Sequence, residues 1–211
     1  MASGPGSFRV VVSTLAIVLA CLVASGCAWS GDDDDAVVGG SNESSTESSG
    51  PAQSEARTER KASIYATVIR RLVTKDHTYG GGDPGFRMVF VVDGAVPGVA
   101  NPDGAGTRNP KRPFSEALKR KLESELSDLP PLRFVRTRGA AIRGESSSSP
   151  GQVISGGVLI TLGPIVGGPS RVHVGTSLWL SGLAGQWLTY VVTRRTGEWR
   201  IKGTTGPTAI S

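Results

Sequence analysis

The hydrophobic and polar positions divide the chain into three stretches. Residues 10–23 (VVVSTLAIVLACLV) are almost continuously apolar, residues 28–56 are polar, and apolar residues return at regular spacing from Ile64 onward. The first run is 14 residues long, whereas a helix that crosses a bilayer needs about 20. The pattern therefore predicts an export segment, a disordered linker over residues 28–56 and one folded domain over residues 57–211.

Helical spacing opens the domain. Apolar residues three and four apart predict one helix within residues 54–76, and a second that begins after Ser115 as its N-cap and ends before Pro130. The two apolar stripes are Ile64, Val68, Ile69, Leu72 and Val73, and Leu118, Leu122 and Leu126. Between the helices, FRMVFVVDG at 86–94 is apolar on both faces, which predicts a strand at the centre of a sheet.

Strand patterns fill the rest of the domain. Residues 132–137, 156–165, 171–180, 187–195 and 198–203 are predicted strands, residues 138–155 are a predicted loop, and Thr196-Gly197 is a predicted tight turn. Trp199 and Ile201 should face inward. Because most of these strands follow one another without a helix between them, we expect an α+β domain: an antiparallel sheet of five to six strands with two main helices packed on one face.

A single cysteine ends the apolar opening segment. The stretch Val23-Ala24-Ser25-Gly26-Cys27 resembles the lipobox of bacterial lipoproteins, in which the signal peptide is cut just before the cysteine and the cysteine thiol carries a diacylglyceryl group. The sequence departs from that pattern at Ala24, where leucine is commonest. The resemblance implies cleavage between Gly26 and Cys27, with residues 1–26 as the signal peptide and Cys27 as the lipid anchor. It places the domain on the extracytoplasmic face of the cell membrane.

Two alternatives for the opening segment stay open at this stage. It could be an ordinary secretory signal cut nearby, or an uncleaved anchor helix over residues 8–29. The other cysteine, Cys21, lies inside the apolar run and would be removed with it. The mature chain would then hold one cysteine and no internal disulfide.

Charge is divided unevenly between linker and domain. Residues 28–56 hold seven acids and no base, while residues 57–211 hold 22 bases and 11 acids. This asymmetry is compatible with an acidic partner such as anionic lipid or wall polymer, with attraction between linker and domain, or simply with the frequent arginine of GC-rich bacteria. Basic and aromatic residues do not interleave as in nucleic-acid recognition, so we expect no nucleic-acid partner. The protein partner is not predicted.

Candidate chemistry is sparse. His77, Asp93 and His173 are the only distinctive members of a dispersed hydrolase site, and no spacing selects a serine to join them. Neither Cys-x-x-Cys nor His-x-x-x-His occurs, so we predict no metal site and no cofactor. His173 lies between Val172 and Val174 and should point to the opposite face of its strand.

Four tryptophan and tyrosine residues cluster in the last strands. Trp199 and Tyr190 are predicted core residues. Trp179 and Trp187 flank the apolar stretch Leu180–Gln186, so they could line a ligand pocket or a glycan-stacking surface, or belong to the core.

The last seventy residues resemble a type of uncharacterised bacterial lipoprotein domain. The shared pattern is GGVLITLGPI, a variable loop, and SLWLSGLAGQWLTYVVTRRTGEWRIKG. That resemblance implies a small α+β domain without an assigned activity. The closing hairpin, over about 20 residues, also resembles the end of nuclear-transport-factor-2-like domains, which are cones of curved sheet around a pocket.

Three hypotheses for function follow. The first is a membrane-anchored, non-enzymatic lipoprotein that binds a ligand or partner in the cell envelope. The second is an envelope hydrolase built from dispersed residues. The third is a structural component whose basic face rests on anionic lipid. A pocket with a histidine, an acid and a nucleophile would favour the hydrolase, whereas an apolar pocket would favour binding.

Overall fold

The computed structural model describes residues 50–77, 84–102, 110, 112–146, 148–182 and 184–211, so Gly26, Cys27 and the linker up to residue 49 lie outside the described residues. The described helices are α1 (Pro51–Thr74) and α2 (Glu116–Glu125). The strands are β1 (Val89–Val92), β2 (Leu132–Val135), β3 (Ile142–Ser146), β4 (Ser149–Val153), β5 (Val158–Gly167), β6 (Arg171–Ser181), β7 (Ala184–Arg195) and β8 (Glu198–Ile210).

Helix α1 confirms the first predicted helix and starts earlier than expected. It begins at Pro51, so the last six residues assigned to a disordered linker are helical. Proline is favoured in the first turn because its missing N–H would have had no partner there. Residues 51–56 are exposed, which is why no apolar periodicity marked them as helix. The apolar stripe from Ile64 to Val73 is buried, as predicted.

The strand at residues 86–94 is central, as its two apolar faces indicated, but its pairing differs from the prediction. All four residues of β1 are buried, and β1 runs parallel to both β2 and β5. The expectation of an antiparallel sheet is therefore wrong for β1. Helix α2 lies between β1 and β2 in the chain and supplies the crossover that adjacent parallel strands require.

The sheet is also larger than predicted. Its eight described strands run β2-β1-β5-β6-β7-β8, and the β3–β4 hairpin joins the end of β6 through Gln152 and Ser181. The predicted loop at 138–155 instead holds a 3-10 turn (Arg138–Ala141) and this hairpin. Most of its side chains are exposed, so backbone pairing forms these strands without an apolar alternation that sequence could show.

The two faces of the sheet carry different cores. Both helices pack on one face, as predicted, where Ile64, Leu72, Leu122, Ile160 and Tyr190 belong to the main cluster. The opposite face carries a smaller cluster that includes Phe90, Leu159 and Trp179. We call this second surface the open face, because neither α1 nor α2 packs on it.

The closing hairpin confirms the predicted turn. Thr196 and Gly197 have φ of 49° and 89°, the two positive values that a type I′ turn between twisted strands requires. Trp199 is buried and Ile201 is partly buried against the main core. The side chains of Glu198, Arg200 and Lys202 are exposed, as predicted.

Candidate functional site

Asp93 is committed to an internal salt bridge at the carboxyl end of β1. Its Oδ2 accepts from Lys119 Nζ at 2.7 Å and its Oδ1 from the Phe114 backbone N–H at 3.0 Å. The side chains of Asp93 and Lys119 are only 11% and 15% exposed. The hydrogen bond to Asp93 raises the pKa of Lys119, since it favours the charged amine. The pair fixes the start of α2 against β1.

The two histidines lie on different faces of the sheet. His77 is buried just after α1, with its ring edge toward Phe86 of the main core. His173 is partly buried on β6 and points away from Val172 and Val174, which face that core. The predicted direction of His173 is thus confirmed. Among the described residues, His77, Asp93 and His173 are not brought together into one site.

The two candidate tryptophans do come together, on the open face. Trp179 pairs across the strands with Gly185, and a Cβ at Gly185 would lie 2.6 Å from the Trp187 ring. The Trp187 ring therefore covers the strand position beside Trp179. Trp179 is 4% exposed, and Trp187 is partly buried against the same cluster. Tyr190 and Trp199 are buried in the main core, as predicted.

The structure contains a cavity between the helices and one end of the sheet, which the sequence did not predict. It measures about 480 Å³, within the range of about 300–1,000 Å³ typical of small-molecule sites. Tyr65 of α1, Phe114 and Leu118 at the start of α2, and Ile165 of β5 form much of its wall. Ala95 and Pro97, which follow the carboxyl end of β1, and Pro164 of β5 also line it.

A bulge in β5 shapes one wall of this cavity. The β5–β6 register shifts between Leu162 and Ile165, where Pro164 cannot donate to the ladder. The Tyr65 hydroxyl donates to the Gly163 carbonyl at 3.0 Å and so holds α1 against the bulge. Burial raises the pKa of Tyr65, which keeps this hydroxyl a neutral donor at ordinary pH.

Two cations stand at the cavity. Lys61 of α1 and Arg112 before α2 both line it and both are exposed. Neither side chain has a hydrogen bond or an ion pair with another described residue. An apolar wall with two unengaged cations suits a ligand that has an apolar body and an anionic group.

Sequence reasoning missed this cavity. Its walls come from three segments about 50 residues apart, and no local spacing marks Lys61, Arg112 and Ile165 as neighbours. The available signal was the segment 94–113, whose four prolines follow a buried strand in a position typical of binding loops.

Neither a metal cluster nor a membrane-spanning helix occurs within the described part of the chain. No group of three or more His, Cys, Asp or Glu side chains there could hold a metal ion. No described helix combines the length and the apolar character needed to cross a bilayer.

Comparison with known proteins gave no relative. No protein-family model, no curated protein sequence and no solved structure matches this chain.

Proposed function

We propose that this protein is a lipid-anchored binding protein of the bacterial cell envelope, which takes a small amphipathic anion into the cavity between α1, α2 and β5. The observation that carries the proposal is the cavity itself, with apolar walls and the cations of Lys61 and Arg112. The lipobox-like stretch from Val23 to Cys27 supports the anchor and the extracytoplasmic location.

The walls set the chemistry of the ligand. Tyr65, Phe114, Leu118 and Ile165 would cover an acyl chain or a hydrophobic ring, while Lys61 and Arg112 would meet a carboxylate or phosphate. Burying one CH₂ group is worth about 0.8 kcal/mol. About ten buried CH₂ groups would contribute about 8 kcal/mol before the cost of association is subtracted. With the ion pair at the edge, we expect a Kd between about 1 μM and 1 mM.

The test is a titration of the soluble chain from Ala28 onward with dansyl-labelled undecanoic acid. We expect a rise in dansyl fluorescence, competed by lauric acid and far less by lauryl alcohol, because the alcohol lacks the charge. Lys61→Gln combined with Arg112→Gln should weaken binding about tenfold, which corresponds to 1.4 kcal/mol. Ala95→Trp, which fills the cavity from the loop after β1, should abolish it.

The matched control is Arg120→Gln. Arg120 is an exposed cation on α2 that does not line this cavity. Arg120→Gln removes the same single charge as Arg112→Gln alone and, unlike Arg112→Gln, should leave binding unchanged. If Arg120→Gln weakened binding as much as the change at Arg112, or if Ala95→Trp bound normally, the probe would be held by general charge or elsewhere. Either result would contradict the proposed site.

A further inference from the structure

A second feature of the open face is independent of the cavity. Arg138, the first residue of the 3-10 turn after β2, lies over Trp179 with its guanidinium carbon 4.0 Å from the ring centre. Arg138 is partly buried. Its side chain has no hydrogen bond or ion pair with any other described residue. Burial lowers the pKa of Arg138, a sign that the charge is held out of water at some cost.

Stacking fixes how this arginine can bind. A guanidinium carbon 4.0 Å from the centre of an indole ring is held by the cation–π attraction. A guanidinium that stacks at this distance keeps its N–H groups at its edge. Those N–H groups form a planar fork that matches the two oxygens of a carboxylate or phosphate. The arrangement is therefore pre-organised for an anion, and the described residues do not supply one.

The strand register places more of this surface next to Arg138. One row across the open face runs from Arg133 on β2 through Phe90 and Leu159 to Trp179 and Gly185. The Trp187 ring covers Gly185 at the end of the row. The row therefore brings the partly exposed indole of Trp187 next to Trp179, the ring over which Arg138 lies.

The local charge is strongly positive. Arg133, Arg136, Arg138 and Arg143 lie within eleven residues, and Glu145 is the one acid between Leu129 and Gly197 in the sequence. Glu145 opposes the effect of burial on the pKa of Arg138, but the two are not an ion pair. A surface of this kind attracts anionic ligands and speeds their association.

We propose that Arg138, Trp179 and Trp187 form a binding site for an anionic saccharide, a sugar that carries a carboxylate or phosphate. The fork of Arg138 would hold the anionic group, and the partly exposed ring of Trp187 would pack against the apolar face of the sugar. A partly buried guanidinium is reached by a single protruding group more readily than by a flat lipid surface, so we favour a saccharide over a membrane.

The experiment is calorimetric titration of the full chain, in a non-ionic detergent without sugar groups, with trigalacturonic acid. We expect a Kd of about 1 mM or tighter, with neutral trigalactose binding at least about tenfold more weakly. Arg138→Gln should weaken trigalacturonic acid about tenfold or more, since a hydrogen-bonded ion is lost. Indole fluorescence should change on binding, and Trp187→Phe should remove most of that change.

Arg171→Gln is the matched control. Arg171 is exposed on the same strand and the same face as Trp179, eight residues away, or about 26 Å along the strand. Arg171→Gln removes the same charge as Arg138→Gln and should leave the binding of trigalacturonic acid unchanged. Arg138→Lys keeps the charge but loses the fork, and we expect it to bind weakly while retaining the wild-type melting temperature.

Two results would overturn the proposal. One is equal binding of trigalacturonic acid by wild type and Arg138→Gln at an unchanged melting temperature. The other is equal weakening by Arg138→Gln and Arg171→Gln, seen also with phosphatidylglycerol vesicles, which would assign the surface to general attraction by anionic lipid. Both outcomes leave the cavity between the helices and its fatty-acid test untouched.

Discussion

Two buried tyrosine hydroxyls anchor α1 in different ways. Tyr190 is fully buried on β7, and its hydroxyl donates at 2.8 Å to Asp76, which also accepts from Arg71 at 2.8 Å. Tyr65 donates instead to a neutral carbonyl, that of Gly163. The first bond has a charged acceptor and ties the end of α1 to the sheet. The second ties the middle of α1 to the β5 bulge.

This contrast predicts unequal costs for the same substitution. Tyr190→Phe should lower the free energy of unfolding by about 1.5–3 kcal/mol, because it removes a hydrogen bond to a carboxylate. Tyr65→Phe should cost only about 0.5–1.5 kcal/mol. Urea unfolding of the two variants measures both values. Equal costs, or a larger cost at Tyr65, would contradict the role given to Asp76.

The same residues predict instability at high pH. Burial raises the pKa of both tyrosines, and the hydrogen bond to Asp93 raises the pKa of Lys119. A group with a raised folded pKa gives stability that is complete below its unfolded pKa and is lost as the pH rises toward the folded one. The unfolded values lie near 10 for Tyr and Lys.

We therefore expect the free energy of unfolding to stay constant from neutral pH to about 9 and to fall above about 10. Urea unfolding at a series of pH values gives the slope. Tyr190→Phe should make that slope shallower, because it removes one of the groups whose folded pKa is raised. An increase in the free energy of unfolding as the pH rises above about 10 would contradict the roles given to these tyrosines and to Lys119.

At the scale of the element, a helix or strand could be predicted from the sequence where its apolar residues form a local pattern. Both helices and most of strands β5 to β8 were predicted, because each carries an apolar stripe, run or alternation. The second half of β8, residues 204–210, was not predicted, since most of its side chains are exposed. Strands β3 and β4 contain mainly Gly, Ser, Arg and Pro with exposed side chains, so no period distinguished them from a loop. The parallel pairing of β1 with β2 agrees with the strand–helix–strand order that the sequence predicted. Its parallel pairing with β5, which is distant in the chain, had no local signal.

The β7–β8 turn offers a prediction for one element. Thr196 adopts a φ of 49°, which a β-branched residue tolerates poorly, whereas Asn at this position is favoured in a type I′ turn. Thr196→Asn should therefore stabilise the domain by about 0.5–1 kcal/mol. Thermal unfolding compares it with Thr193→Asn, a change within β7 that should not stabilise. A loss of stability at residue 196 would contradict the turn geometry.

The candidate sites show the same limit. Trp179 and Trp187 were identifiable as a pair because they flank one short stretch at the tip of a hairpin. The cavity and the contact between Arg138 and Trp179 could not be identified from the sequence, because each joins residues that lie about 40 to 100 positions apart. Long-range contacts of this kind depend on sheet order, which the sequence alone did not provide.

At the scale of the whole molecule, the proposed mature protein is a basic domain joined to a lipid anchor at Cys27. A diacylglyceryl group on one cysteine carries two acyl chains. Two chains anchor a protein stably in a membrane, whereas one chain binds only marginally. In the sequence, the acidic residues from Asp32 to Glu47 lie between Cys27 and α1, the first element of a domain with a surplus of positive charge. Retention of the domain at the envelope therefore depends on Cys27 in this account.

The most direct test is the intact mass of the mature protein from bacterial cells that express the wild type or Cys27→Ala, with detergent partitioning of both. The account predicts loss of residues 1–26 and a gain of diacylglyceryl mass in the wild type, with partition into the detergent phase. It predicts that Cys27→Ala stays uncleaved and unlipidated. A wild-type chain that is cut elsewhere and carries no lipid would contradict the anchored protein proposed here.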